Sequence, residues 1–232
     1  MTATNYSDGF PNRYYQSRKT RDAIRDDSRS FYPLFAKRLL DLALAIALVP
    51  VLLPVIAVLW AMTTRDGGPG FFGHRRIGRN GEVFRCWKIR TMVVDAEARL
   101  AEHLANDPEA AAEWERDHKL RDDPRITRLG AFLRSTSLDE LPQIWNVLKG
   151  DMSFVGPRPV VRDEMRKYGA ARTAYLAMKP GITGLWQVSG RNDVSYEERV
   201  AMDVDYVSRV SLMTDIRLIL LTGLSVLDRT GR

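Results

Sequence analysis

The sequence predicts an α+β fold, mainly helical and attached to a membrane. Three observations carry that prediction. The run from Leu42 to Met62 contains no charged residue and is long enough for the roughly 20 apolar residues a bilayer crossing takes. Asn80-Gly81 lies between two strand-like runs, the strongest short hairpin signal. Elsewhere apolar residues recur mostly at helical spacing, with caps where helices should begin. The expected parts are a reentrant membrane helix-break-helix, a small β-hairpin, helices around a carboxylate pair, and an interfacial amphipathic helix.

The totals bound the rest. The chain has 232 residues, 45% of them hydrophobic, enough for one sizeable domain with appendages. Its net charge of +6 favours an anionic lipid, a phosphorylated substrate or a nucleic acid as partner. A nucleic-acid binder would carry basic and aromatic residues along one element and no lipid-directed run, so Leu42 to Met62 argues against that class. Cys86 is the single cysteine, which excludes an internal disulfide and fits a reducing compartment. His74, His103 and His118 lack the spacing of a zinc site.

Residues 1–30 mix Asn, Ser, Asp, Arg and Tyr without an apolar period and read as a disordered basic arm. Residues 31–64 form the membrane segment. Pro50 and Pro54 sit near its middle, and each removes a backbone donor. Lys37 and Arg38 precede the run, and Arg65, Arg75, Arg76 and Arg79 follow it. The positive-inside tendency puts both flanks on the cytoplasmic side. A helix that enters, breaks at the prolines and returns satisfies both facts; a single crossing is the alternative.

Residues 65–232 form the cytoplasmic part. Phe71 to Ile77 and Val83 to Ile89 make the hairpin. Alternation sets Lys88 and Arg90 on one strand face about 7 Å apart, a span that could bridge a diphosphate. Asp95 to Leu120 reads as two charged surface helices broken at Asp107-Pro108. Next comes Leu133 to Pro159, the stretch richest in chemistry. Asp139-Glu140 stands at a helix start. Ser137 lies three residues before Glu140, as in a capping box, while Pro142 favours a start of its own. Either start places the carboxylates near the positive end of the helix dipole, which favours their ionised forms. Met152 to Val155 reads as a short buried strand. Arg158 is fixed between Pro157 and Pro159, and a guanidinium suits bidentate contact with phosphate. Lys179 to Gly184 and Ser189 to Asn192 read as two further loops, each with a cation. Ser195 and Glu198 form a capping box for a helix to Val207. Leu212 to Leu227 is amphipathic, with a wide apolar face for the core or the bilayer interface.

From about Phe35 to Leu227 the chain resembles the monotopic bacterial phosphoglycosyl transferases. The resemblance rests on Lys37-Arg38 with Asp41, Pro54, Lys88 to Met92, Thr136 to Gln143, Gly150 to Pro159, Lys179 to Gly184 and Gly190 to Asn192, in that order. Leu53 departs from the pattern, since some members have Ser before the proline. The resemblance implies transfer of a hexose 1-phosphate from a UDP-sugar to polyprenyl phosphate, with release of UMP, as the first membrane step of exopolysaccharide assembly. It implies a location on the cytoplasmic face of the inner membrane. Asp139 would be the nucleophile and Glu140 its partner, with Mg2+ at the pair. A carboxylate attacking phosphorus splits one displacement into two. A low pKa would keep that carboxylate ionised. Lys88, Arg90, Arg134 and Arg158 are the candidates for holding phosphates, and Arg191 for the nucleotide. Galactose or glucose is the expected sugar. A homo-oligomer stays open.

Overall fold

The computed structural model describes residues 32–189 and 194–227. The arm at residues 1–30 and Arg191 lie outside the described residues. The described residues fold as two units interleaved in sequence: residues 32–41, 76–84, 151–189 and 194–222 form the first, and residues 42–75, 85–150 and 223–227 the second.

Helix α1, Lys37–Thr63, runs from the first unit into the second. It carries Pro50 and Pro54 inside one unbroken helix, where the sequence predicted two helices with a break. The physical reason is economy of loss. Each proline deletes one i→i−4 bond, and the donor missing at Pro54 is the one that would have reached the Pro50 carbonyl. The backbone of this 27-residue helix stays helical on both sides of the prolines. By length and composition the helix could cross a membrane, and only 11% of its most apolar window is buried. Leu39, Ile46, Val51, Leu53 and Val58 are all exposed.

The first unit contains strands β3 (Ser153–Val155) and β4 (Gly181–Thr183), paired in parallel with Ser153 opposite Gly181 and Val155 opposite Thr183. The sequence read Lys179 to Gly184 as a loop. It pairs because two glycines let the backbones meet: a Cβ on Gly181 would stand 2.1 Å from the Gly156 nitrogen. Helices α6 (Glu164–Lys167), α7 (Arg172–Ala177), α8 (Leu185–Ser189) and α9 (Tyr196–Ser208) belong to the same unit, as does most of α10 (Leu212–Leu227). Ile77, Val160, Tyr168, Tyr175 and Val200 make one apolar cluster; Val155, Ala174, Tyr206, Val207 and Leu218 make another. The expected capping box at α9 forms, with Glu198 N donating to Ser195 Oγ and Ser195 N to the Glu198 carboxylate. A buried ionic group ties the start of α1 to α10. Asp215, with no exposed surface, accepts from Lys37 Nζ at 2.5 Å, Tyr32 at 2.6 Å and Tyr206 at 2.7 Å.

The hairpin of β1 (Phe71–Ile77) and β2 (Val83–Ile89) forms as expected. Asn80 and Gly81 supply the positive φ values of its turn, 58° and 84°. In the second unit the charged stretch folds as α2 (Ala96–Asn106) and α3 (Pro108–Asp117), with Asp107 capping α3 and Pro108 in its first turn. Helix α4 (Arg128–Ser135) is capped by Thr127, whose hydroxyl accepts from Gly130 N at 2.8 Å. A single tight turn, Leu138–Glu140, then leads to α5 (Gln143–Lys149), which Gly150 ends in the left-handed region.

Candidate active site

Two elements of the second unit bring the carboxylate pair and its cation together. Strand β2 presents Lys88, and the turn before α5 presents Asp139 and Glu140. Asn146 registers these elements against each other. Its side chain, fully buried in α5, accepts from Trp87 N at 3.0 Å and donates to the Arg85 carbonyl at 2.7 Å. One amide thereby occupies the edge of β2 as a neighbouring strand would. Lys88 Nζ then lies 2.5 Å from Glu140 Oε1 and 3.5 Å from Asp139 Oδ2.

The turn itself resolves the ambiguity at Ser137. Ser137 adopts a left-handed conformation, φ 58°, and its side chain caps nothing. The capping box does not form, and α5 starts after Pro142. Asp139 is buried and Glu140 partly exposed. Burial pushes the Asp139 carboxyl above the ordinary carboxylate range; Lys88 opposes that shift and Glu140 adds to it. The low pKa expected from the helix dipole is therefore corrected, because desolvation outweighs it. Burial works to lower the Lys88 pKa, but Glu140 and Asp139 outweigh it and the net shift is upward. The site holds one firmly charged ammonium between two carboxylates.

The candidate cations do different work. Arg134, on α4, donates Nε to Thr91 Oγ1 at 2.9 Å and draws the Asp139 pKa down through its charge. Thr91 follows β2, and its carbonyl accepts from Thr127 N at 3.1 Å, which holds α4 there. Arg90 turns away from Lys88. Its guanidinium donates to the carbonyls of Thr63, Pro69 and Met92 and twice to the Asp66 carboxylate. Those five bonds use all five guanidinium N–H groups. The structure thus places Arg90 as a clasp on the end of α1, whereas alternation along the strand had grouped it with Lys88. Arg158 belongs to the first unit, exposed and stacked over Trp186 at 5.2 Å.

A divalent ion is tested by the donors present. Among the described residues no group of three His, Cys, Asp or Glu side chains could hold a metal. Asp139 and Glu140 supply two carboxylates, and Mg2+ is commonly bound by one or two carboxylates with substrate phosphates completing the shell. The pair fits Mg2+ on that condition.

Sequence reasoning passed over Asn146 and Gly130, which fix this geometry, and gave Asp41 no role beyond its part in the resemblance. Asn146 carried a signal, an amide inside an otherwise apolar helix stretch between Ile144 and Val147. Gly130 carried none; a Cβ there would stand 2.0 Å from the Thr91 carbonyl oxygen. Asp41, on α1 in the first unit, is buried and accepts from Ser153 Oγ at 2.9 Å and Phe154 N at 3.0 Å, fixing β3 just before the Arg158 loop.

Comparison with known proteins identifies the family. The family model described as Bacterial sugar transferase matches residues 32–229. The chain is 53% identical over 197 residues to an undecaprenyl-phosphate galactose phosphotransferase of Salmonella typhimurium, covering 85% of this chain and 41% of that protein. It is 48% identical to the exopolysaccharide production protein ExoY of Sinorhizobium fredii, covering 81% and 83% respectively. It is 39% identical to a UDP-glucose:undecaprenyl-phosphate glucose-1-phosphate transferase of Xanthomonas campestris, covering 87% and 40%. The chain thus spans about two fifths of the length of several relatives it matches. With the family model matched across nearly all the described residues, the chain belongs to the bacterial sugar transferase family.

Proposed function

We propose that the chain transfers a hexose 1-phosphate from a UDP-sugar to a polyprenyl phosphate and releases UMP. The observation that carries this reading is the buried Asp139 carboxylate, 3.5 Å from an ammonium that also binds Glu140. An Asp139 oxygen attacks the phosphorus that bears the sugar. The bond from that phosphorus to the bridging oxygen breaks, and UMP leaves with the electron pair. The acyl-phosphate so formed holds the phosphosugar on the protein. A phosphate oxygen of the polyprenyl acceptor then attacks the same phosphorus and frees the carboxylate. Lys88 and Arg134 offer positive charge where the transferred group becomes more negative. Mg2+ on Asp139 and Glu140 would screen the diphosphate and assist departure of the nucleotide. Galactose or glucose is the sugar this reading favours, in line with the names of relatives.

Asp139→Asn tests the chemistry. It should abolish both transfer and trapping of a labelled phosphosugar on the protein; continued transfer by that variant removes Asp139 as the nucleophile.

The same reading places the enzyme on the cytoplasmic face of the inner membrane, with α1 entering and leaving one leaflet. Lys37 and Arg38 at the start of α1 and Arg65, Arg75, Arg76 and Arg79 beyond its end put positive charge on both flanks, which supports a return over a crossing. Single cysteines placed at Arg38 and Arg65 should label from the same side of sealed vesicles, and labelling from opposite sides would establish a crossing.

A further inference from the structure

The first unit gathers three cations beside the start of α1. Arg38 lies on α1 itself, Arg79 in the turn of the hairpin, and Lys179 just before β4. Backbone contacts set these segments against one another. Asp41, one turn beyond Arg38, accepts from Ser153 Oγ at 2.9 Å and from Phe154 N at 3.0 Å. Ser153 N in turn donates at 2.9 Å to the carbonyl of Pro180, the residue after Lys179. Gly156 holds Lys179 more closely still: a Cβ there would stand 2.4 Å from the Lys179 carbonyl oxygen. The turn Arg79–Gly81 packs against α7, which ends at Ala177, just before Lys179.

The charges act on each other. Burial and the charges of Arg38 and Arg79 push the Lys179 pKa down, and Asp41 and Asp151 oppose that shift without reversing it. Asp41 is already committed to Ser153 and Phe154. Among the described residues the Lys179 ammonium and the Arg79 guanidinium make no hydrogen bond or ion pair. Arg38 is asked only for its charge. A half-buried ammonium beside like charges, with its three donors unspent, is stabilised by an incoming anion.

The neighbouring surface decides where that anion comes from. Phe35 and Leu39 flank Arg38 in sequence and are 61% and 65% exposed. On α10 of the same unit, Asp215 turns inward to Lys37, while Leu212, Met213, Ile216 and Leu220 are exposed. Cations on a unit with outward-facing apolar side chains suit an anion that carries a hydrocarbon tail. We propose that Lys179 and Arg79, with the charge of Arg38 beside them, bind the phosphate of an anionic phospholipid of the surrounding bilayer. The site lies within the first unit and uses neither Asp139 nor Glu140. It goes beyond the proposed transfer and rests only on attachment to a membrane, so its failure leaves the transfer standing.

Thermal melts of the full chain in neutral detergent, titrated with phosphatidylglycerol, phosphatidylcholine or inorganic phosphate, test it. Binding to the folded state raises the melting temperature, and phosphatidylglycerol should do so at lower concentration than the other two. Lys179→Met keeps the aliphatic stem and removes the charge. Without lipid it should melt no lower than wild type, because that charge is unfavourably placed. It should nevertheless need about ten-fold more phosphatidylglycerol for the half-maximal shift, the scale of one hydrogen bond to a charged group. Arg79 is exposed, so Arg79→Gln reads the site without disturbing the fold; it should need about three- to ten-fold more on the same scale. Arg162→Gln removes an exposed charge outside the cluster and should respond as wild type. A wild-type response from both Lys179→Met and Arg79→Gln overturns the site, and so does an equal loss in all three variants. Stabilisation by phosphatidylcholine or inorganic phosphate equal to that by phosphatidylglycerol overturns the assignment to an anionic lipid.

Discussion

Replacing Arg90 by Met separates a clasp from a substrate contact. The variant keeps much of the aliphatic volume and removes five donors. The Thr63 carbonyl loses its guanidinium partner inside the protein, since Thr63 is buried. Pro69 is exposed, and its carbonyl turns to water. Met92 stands between these cases. Leaving a buried acceptor unsatisfied costs about 1–3 kcal/mol, so one full and one partial loss give about 3 kcal/mol. Asp66 faces solvent and adds nothing to that figure. For a chain of this length about 2–4 °C of melting temperature follow each kcal/mol, which predicts a fall of about 10 °C. Differential scanning fluorimetry in detergent measures it, and UDP binding at low temperature should match wild type. An unchanged melting temperature with lost UDP affinity would refute the clasp and restore Arg90 as a phosphate ligand.

Two further predictions concern the supports of each unit. Gly130→Ala should destabilise by about 1–3 kcal/mol, because overpacking against the fixed Thr91 carbonyl exceeds the helix-propensity gain; transfer activity should fall with it, since Arg134 stands one turn further along α4. Burial raises the Asp203 carboxyl to about 7 from its ordinary 3.8, with Tyr168 and Arg158 opposing. Folding therefore takes up a proton between those values, and stability from this group, complete below pH 3.8, is lost as pH rises towards 7. Asp203→Asn should flatten that dependence, the difference from wild type reaching on the order of 4 kcal/mol over the window at about 1.4 kcal/mol per pH unit; parallel melting profiles from pH 4 to 7.5 would contradict it.

Local chemistry made some of this legible in the sequence. Asn80-Gly81 dictates a turn because Asn and Gly tolerate positive φ, and the turn is there. Asp107-Pro108 and Ser195 with Glu198 announce helix starts because their partners lie within three residues. Asp139, Glu140 and Lys88 could be singled out as titratable groups, and the fold brings them together. Three of the misreadings depend on distant partners. The acceptors of Arg90 lie up to 27 residues away, so alternation along the strand could not show which way its guanidinium turns. The Asp139 pKa depends on burial that a dipole argument does not contain. Strand β4 has only three residues and exists because Gly156 lets it approach.

These misreadings share a physical pattern. The carboxylate pair is positioned by single polar contacts between segments far apart in sequence. Asn146 sets α5 against β2, Thr91 meets both α4 and Arg134, and Arg90 clasps the end of α1. A hydrogen bond fixes distance and direction more narrowly than apolar contact, whose free energy follows area and has no preferred angle. For a displacement at phosphorus, an error of about 1 Å in placement costs on the order of a hundred-fold in rate. A site of this kind should tolerate exchange of one apolar core residue for another of similar volume. It should fail when one buried amide, hydroxyl or guanidinium is lost, even where that group never touches substrate.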